Sequence, residues 1–170
     1  MLSKNHHNQA LNIIGSTEYI TVASIKNIPA KIDTGADSSS VWASHIDMTL
    51  DGTLSFTLFD EKSPLYTGQK LTTTRYLARS VRSSHGDTQI RYRVELPVTI
   101  GDETFITTFT LANRSRNNFP VLIGRHTLEG KFLVDVSISS VAYPKPRSSL
   151  HLNQELKANP YQFHQKYLTK

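Results

Sequence analysis

The sequence predicts an all-β protein whose strands close, or nearly close, into one barrel. Between residues 18 and 143, β-branched and aromatic residues recur in short alternating runs, which is the pattern of half-buried strands. Glycine, proline, asparagine and aspartate separate these runs at short intervals, a spacing typical of β-barrels. The length of 170 residues suits a single domain with its own core.

The first half of this region contains four predicted strands. They are expected over residues 18–25, 30–32, 39–43 and 53–59. The second of them runs directly into Asp33. Pro64 and Gly68 then break the chain, which indicates a loop over residues 60–68.

The second half begins with a predicted hairpin. Long strands over residues 71–81 and 89–100 flank the polar segment 83–87, whose glycine is suited to a tight hairpin tip. Further strands are expected over residues 104–111, 119–124 and 132–136. A single short helical turn is expected over residues 125–129, ended by Gly130.

The two ends of the chain are predicted to lie outside the barrel. Residues 1–17 are expected to form an N-terminal extension, and residues 144–170 a basic, partly disordered tail. The net charge of +5 is concentrated in that tail, so no nucleic-acid partner is expected for the barrel. No apolar run is long enough to span a membrane, and Met1 is not followed by a signal-like segment. We therefore expect a cytoplasmic protein, or a periplasmic one if an export signal has been removed.

The Asp-Thr-Gly-Ala-Asp segment at residues 33–37 has the character of a catalytic turn. Asp33 directly follows a strand, Gly35 allows another backbone to approach, and Ala36 is too small to cover the acid. Hydrolysis of a peptide by such a group needs two carboxylates that share one proton. The sequence contains one Asp-Thr-Gly, so a second copy of the chain would supply the other carboxylate. The alternative is that these residues form only a strand-ending Asx turn.

This turn and a later segment together resemble a known family. Val121-Leu122-Ile123-Gly124-Arg125 ends a strand before the predicted helix, and Arg91-Tyr92-Arg93-Val94 and Phe132-Leu133-Val134-Asp135 also match. The pattern resembles retroviral-type peptidases over residues 18–138. Within that superfamily it is most similar to the bacterial group labelled ATP-dependent zinc proteases, found beside ATP-grasp glutamate ligases.

The resemblance implies a closed, six-stranded acid-protease (retropepsin-like) barrel with one short helix, working as a homodimer. It also implies an aspartic endopeptidase in which water is activated between two Asp33 carboxylates. Thr34 would brace the paired turns across the dimer, and the Gly35 carbonyl would face the substrate.

The resemblance also assigns residues around the catalytic turn. Asp37 and Arg125 would form an ion pair that supports the turn together with Gly124, although unrelated surface charges at these two positions are the alternative. Ala36 and Asp37 would contact substrate. The predicted hairpin tip, which carries Ser84, His85 and Gly86, would correspond to a flap that closes over the substrate.

No cofactor or metal is expected, and the partners expected are a peptide or protein substrate and a second copy of the chain. The sequence has no phosphate-binding loop for ATP. It has seven histidines but no His-Glu-x-x-His motif, and His126 with Glu129 is only a fragment of a zinc site. A zinc protease and a non-catalytic retropepsin-like scaffold remain as alternative hypotheses.

Overall fold

This computed structural model describes residues 11–82, 88–143 and 149–169, which form eleven strands and three helices. The strands are β1 Asn12–Gly15, β2 Thr17–Val22, β3 Ile25–Asp33, β4 Ser39–Met48, β5 Leu54–Leu58, β6 Lys70–Thr73, β7 Tyr76–Arg82, β8 Thr88–Ile100, β9 Glu103–Ala112, β10 Val121–Gly124 and β11 Phe132–Asp135. The helices are α1 Arg125–Leu128, α2 Leu150–Ala158 and α3 Pro160–Tyr167.

Six strands form a closed ring in the order β10, β3, β2, β8, β9 and β4. Val121 and Leu122 of β10 close the ring by pairing with Val41 and Ser40 of β4. The pairs β10–β3 and β4–β9 are parallel, and the other four pairs are antiparallel. Closure removes the open edges that a sheet would otherwise expose. The prediction of a closed six-stranded barrel is confirmed.

The core follows from strand alternation. In β3, the side chains of Ile28, Ala30 and Ile32 are buried while their neighbours point outward. Phe56 and Phe109 are among the largest fully buried side chains. Each large apolar side chain buried in this way contributes about 1.5–3 kcal/mol. The interior of the barrel is therefore well packed, and this packing fixes the positions of the strand ends.

The predicted hairpin is present, but its first strand is shorter than expected. Residues 71–81 fall into two strands, β6 pairing with β5 and β7 pairing with β8. The hydroxyl of Thr73 accepts a hydrogen bond from the amide of Arg75 (2.9 Å), which turns the chain between the two strands. The hairpin tip with Ser84, His85 and Gly86 lies outside the described residues.

One strand of a separate two-stranded sheet lies inside the segment predicted as an N-terminal extension. Strand β1 pairs in parallel with β11, from Asn12 opposite Phe132 to Gly15 opposite Asp135. The buried Thr17 begins β2. Four residues are too few for alternation to reveal such a strand.

The short helix expected with the barrel is present, and the described residues contain two further helices that the sequence analysis did not predict. Strand β10 ends at Gly124 and the expected α1 begins at Arg125, whereas α2 and α3 lie in the tail. Pro160 occupies the first turn of α3, and the Asn159 side chain accepts a hydrogen bond from the amide of Gln162 (3.0 Å). Among the helices of the described ranges, none is long and apolar enough to cross a membrane.

Candidate active site

Asp33 is the last residue of β3 and stands beside the end of β10. The parallel pairing of these strands places Gly124 opposite Asp33. The Gly35 amide donates a hydrogen bond to Oδ1 of Asp33 (3.1 Å), and the Ala36 amide donates to the Asp33 carbonyl (3.2 Å). A quarter of the Asp33 side chain (25%) is exposed. The carboxylate is thus fixed in orientation and open to solvent on one side.

The glycine at position 124 allows the chain to pass close to the turn over residues 33–37. An added Cβ would lie 2.6 Å from the carbonyl carbon of Ser38 and 2.9 Å from the carbonyl oxygen of Ala36. The Arg125 amide donates to the Ala36 carbonyl (2.8 Å), and the Gly124 amide donates to the buried hydroxyl of Ser39 (3.0 Å). The turn is therefore held by backbone contacts that a side chain at position 124 would disrupt.

The predicted ion pair between Asp37 and Arg125 is present. Nη2 of Arg125 lies 2.7 Å from Oδ1 of Asp37, and the His126 amide donates to the Asp37 carbonyl (3.2 Å). Both side chains are more than half exposed. Such an exposed pair contributes little to stability by itself, and it links the turn to the first residue of α1.

Two cationic residues that the sequence analysis did not identify interact with Asp33. Nζ of Lys31 lies 3.3 Å from Oδ2 of Asp33. Burial, and then the charge of Arg91, lower the pKa of Arg114, while the Asp33 carboxylate acts in the opposite direction. The alternation of β3 could have identified Lys31, because residues two apart on a strand share a face. No comparable pattern marks Arg114, which lies in a loop.

A cavity of about 300 Å³ opens between this turn and the hairpin of β7 and β8. Ala36 and Asp37 line one side of it, and Arg79 and Arg91 line the other. The two arginines are directly opposite each other on neighbouring strands, an arrangement in which like charges repel. Among the described residues, neither arginine has a carboxylate within ion-pair distance. The cleft therefore presents uncompensated positive charge.

A second, wider groove of about 630 Å³ begins at Thr34. Its other walls are α1 and β11, including the half-exposed Leu133. Thr34 is exposed and lies at the edge of a surface that α1 and β11 form. In the part of the chain that is described, no three histidine, aspartate or glutamate side chains converge as a metal site would require.

Comparison with known proteins places the chain in a family. A sequence model of the RimB-like family, described as retropepsin-like aspartic endopeptidase RimB, matches residues 13–145. A crystal structure of a Legionella pneumophila protein of unknown function is similar in fold, with a TM-score of 0.60 and 26% identity. The similarity covers 76% of this chain and 97% of that one.

Longer relatives match the same region. A probable α-L-glutamate ligase of Parasynechococcus marenigrum is 30% identical over 72% of this chain, and one of Shewanella pealeana is 29% identical over 75%. The match covers 28% and 29% of those proteins, so the chain corresponds to less than a third of their length. On the match of the family model, the chain belongs to the RimB-like family of retropepsin-like aspartic endopeptidases.

Proposed function

We propose that this chain is one subunit of a homodimeric aspartic endopeptidase. The observation that carries the proposal is the Asp33 carboxylate, which the Gly35 amide orients and which stays partly open at the end of a rigid strand. A carboxylate held in this way is suited to acid–base chemistry. The family match supports the same reaction class.

The reaction needs one protonated and one ionised Asp33. The ionised carboxylate takes a proton from water while the water oxygen attacks the carbonyl carbon of the scissile bond. The protonated carboxyl gives its proton to the carbonyl oxygen, which forms a tetrahedral gem-diol. Transfer of a proton to the amide nitrogen then breaks the C–N bond and releases an amine and a carboxylic acid. Two carboxylates at close range favour the shared-proton state, because both cannot ionise together.

The second carboxylate is proposed to come from another copy, docked at the groove that begins at Thr34. This groove joins the catalytic turn to β11, so a copy bound there would lie next to both. Leu133, which lines this groove, is 54% exposed and would be covered in the dimer. The two-fold axis would then bring the two Asp33 turns together.

The proposed substrate is a peptide segment rich in acidic side chains. Arg79 and Arg91 place positive charge along the cleft, and Lys31 adds a positive charge beside Asp33. Charge of one sign in a cleft favours ligands of the opposite sign. The relatives named as probable α-L-glutamate ligases connect the family with glutamate, and a glutamate-rich segment fits this charge.

Cleavage of glutamate-rich and neutral peptides by the parent protein and by Asp33→Asn tests the proposal. We expect the parent to cleave the acidic peptides with or without a metal chelator. Asp33→Asn should lose about a thousandfold in rate, and both proteins should be dimeric on sizing. Cleavage that survives Asp33→Asn but stops with chelator would support the zinc alternative. No cleavage by a monomeric parent protein would support the scaffold alternative.

A further inference from the structure

A cluster of polar side chains joins β4, β5 and the loop over residues 60–66. Nε2 of His45 lies 3.2 Å from Oε1 of Glu61. His45 stands six positions after Ser39, which follows the turn over residues 33–37, and six positions span about 20 Å of strand. Neither His45 nor Glu61 lines the cavity or the groove described above. The cluster is therefore a separate feature of the surface.

The backbone on either side of this contact is unusual. Strands β4 and β5 shift register between Ser44 and Asp47, so that His45 lies in a bulge. The φ angles of His45 and Phe59 are 49° and 64°, in the left-handed region. A bulky residue adopts this backbone only where its surroundings hold it there, and such positions cluster at functional sites. The bulge and the turn at Phe59 bring His45 together with the loop that carries Glu61.

Hydroxyl groups fix the imidazole ring of His45. Its Nδ1 lies 3.0 Å from the Thr57 hydroxyl oxygen and 3.2 Å from that of Ser44. The Ser44 hydroxyl donates its proton to the Phe59 carbonyl, and the Thr57 hydroxyl donates to the Ser44 carbonyl (3.3 Å). Both hydroxyl oxygens therefore accept at Nδ1, which assigns the ring proton to that nitrogen. Nε2 is left with a lone pair that faces Glu61.

The carboxylate of Glu61 is also held in place. The Ser63 amide donates to the Asp60 carbonyl (2.9 Å) and the Tyr66 amide to the Ser63 carbonyl (3.1 Å), so the loop is a series of turns. The ring centroid of Tyr66 lies 6.2 Å from that of His45. Burial, and then the charge of Glu61 together with a hydrogen bond to it, raise the pKa of the Tyr66 phenol. The neutral phenol thus orients Glu61, as outer contacts orient the ligands of bound metals.

The geometry of the contact fits a metal ion. Nε2 of His45 and Oε1 of Glu61 are both acceptors, so a cation must lie between them, either a second ring proton or a metal ion. Zinc bonds of about 2.0–2.2 Å at angles of about 90–109° place two ligand atoms about 2.8–3.6 Å apart, and 3.2 Å falls within this range. The two side chains are 53% and 64% exposed, which leaves room for water as a further ligand. Throughout the described ranges no third histidine, aspartate or glutamate joins them, so binding is expected to be weaker than at a structural zinc site.

We propose that His45 and Glu61 bind one divalent metal ion of the zinc type, with water molecules as its other ligands. Imidazole with carboxylate suits Zn²⁺, Cu²⁺ or Ni²⁺, whereas Mg²⁺ binds through oxygen ligands. The ion ties the loop over residues 60–66 to β4. Because the site is remote from Asp33, it takes no part in the proposed hydrolysis, and cleavage in the presence of chelator is still expected.

Calorimetric titration of the metal-free protein with Zn²⁺ tests the site, with Mg²⁺ as the comparison ion. The variants are His45→Asn, Glu61→Gln and Thr57→Val, each checked for folding by circular dichroism. Asparagine tolerates the left-handed backbone at position 45, so His45→Asn removes the ligand without adding strain. Exposed His126 on α1 supplies the matched control, His126→Asn.

Two protein ligands in place of four should give about half the binding free energy of a structural zinc site, which corresponds to a Kd of about 1–200 µM. We expect His45→Asn and Glu61→Gln to weaken Zn²⁺ binding about tenfold or more, and Thr57→Val, which removes a hydrogen-bond partner of Nδ1 and no ligand, about tenfold. His126→Asn should bind within about twofold of the parent protein, and Mg²⁺ should not bind. A parent Kd above about 1 mM would leave an ordinary ion pair and overturn the site. So would equal weakening by His45→Asn and His126→Asn, or unchanged binding in the folded Glu61→Gln variant.

Discussion

Replacement of Gly124 by alanine tests how closely β10 packs against the turn over residues 33–37. The φ and ψ angles of Gly124 are −88° and 168°, which alanine adopts without strain. Any destabilisation must therefore come from steric contact between the added Cβ and neighbouring atoms. The new Cβ would lie 2.6 Å and 2.7 Å from the carbonyl carbon and oxygen of Ser38, and 2.9 Å from the Ala36 oxygen. These are backbone atoms, which cannot rotate away.

The size of the effect follows from the overlap. Carbon atoms in contact are about 3.5–4.0 Å apart, so the turn would have to move by about 1 Å. Overpacking of this kind costs about 1–3 kcal/mol. Loss of the hydrogen bond from the Arg125 amide to the Ala36 carbonyl adds about 1 kcal/mol, and the lower entropy of the unfolded chain returns about 0.5 kcal/mol. We expect Gly124→Ala to lower the free energy of unfolding by about 1.5–3.5 kcal/mol.

Urea unfolding followed by circular dichroism measures this difference. Gly35→Ala is the matched control in the same turn, because its Cβ would meet only Oδ1 of Asp33, at 3.4 Å. The control should unfold within about 1 kcal/mol of the parent protein. If Gly124→Ala were equally stable to within about 0.5 kcal/mol, the close support of the turn by β10 would be refuted.

Three further changes test other contacts. Ser39→Ala removes a buried acceptor of a backbone amide and should lower the free energy of unfolding by about 1–3 kcal/mol; a loss below about 0.5 kcal/mol would contradict this. A double-mutant cycle on Asp37 and Arg125 should give a coupling energy of only about 0.2–1 kcal/mol, because both side chains are more than half exposed. A coupling energy above about 2 kcal/mol would contradict the description of this ion pair as a weak, exposed one. The hydrogen bond from the Thr49 hydroxyl is the main cause that lowers the pKa of Asp51. The stabilisation from Asp51 is therefore present above its unfolded-state pKa and is lost as the pH falls through its lower folded-state pKa. Thr49→Val should raise that pKa in an NMR titration, and an unchanged value would rule out the hydrogen bond as its cause.

Local patterns were sufficient for much of the fold. Strands β8 and β9 could be predicted because their alternation continues over many residues. The four residues of β1 could not, because so short a strand depends on pairing with β11 at the other end of the domain. Helices α2 and α3 were not predicted, because the tail is basic and polar, and Pro160 occupies a position in the first turn of a helix where proline is tolerated.

Some residues of the candidate site could likewise be identified from the sequence, and others could not. The segment from Asp33 to Asp37 could be read directly, since the turn and its acid are contiguous. Strand alternation could also have identified Lys31, because it shares a face of β3 with Asp33. Arg114 was not, because its position near Asp33 depends on the path of a loop.

The sequence by itself determined the all-β class, the acid-bearing turn and the aliphatic-Gly-Arg strand end, because each depends on neighbouring residues. Only the tertiary structure decided that β10 lies parallel to β3 with Gly124 opposite Asp33. It also decided that Thr110 of β9 is paired with Ser40 of β4 on one side and with Arg93 of β8 on the other. Alternation reveals which side of a strand is buried but not which strand lies beside it. That choice is made by the packing of the whole barrel, which brings together residues that no local pattern connects.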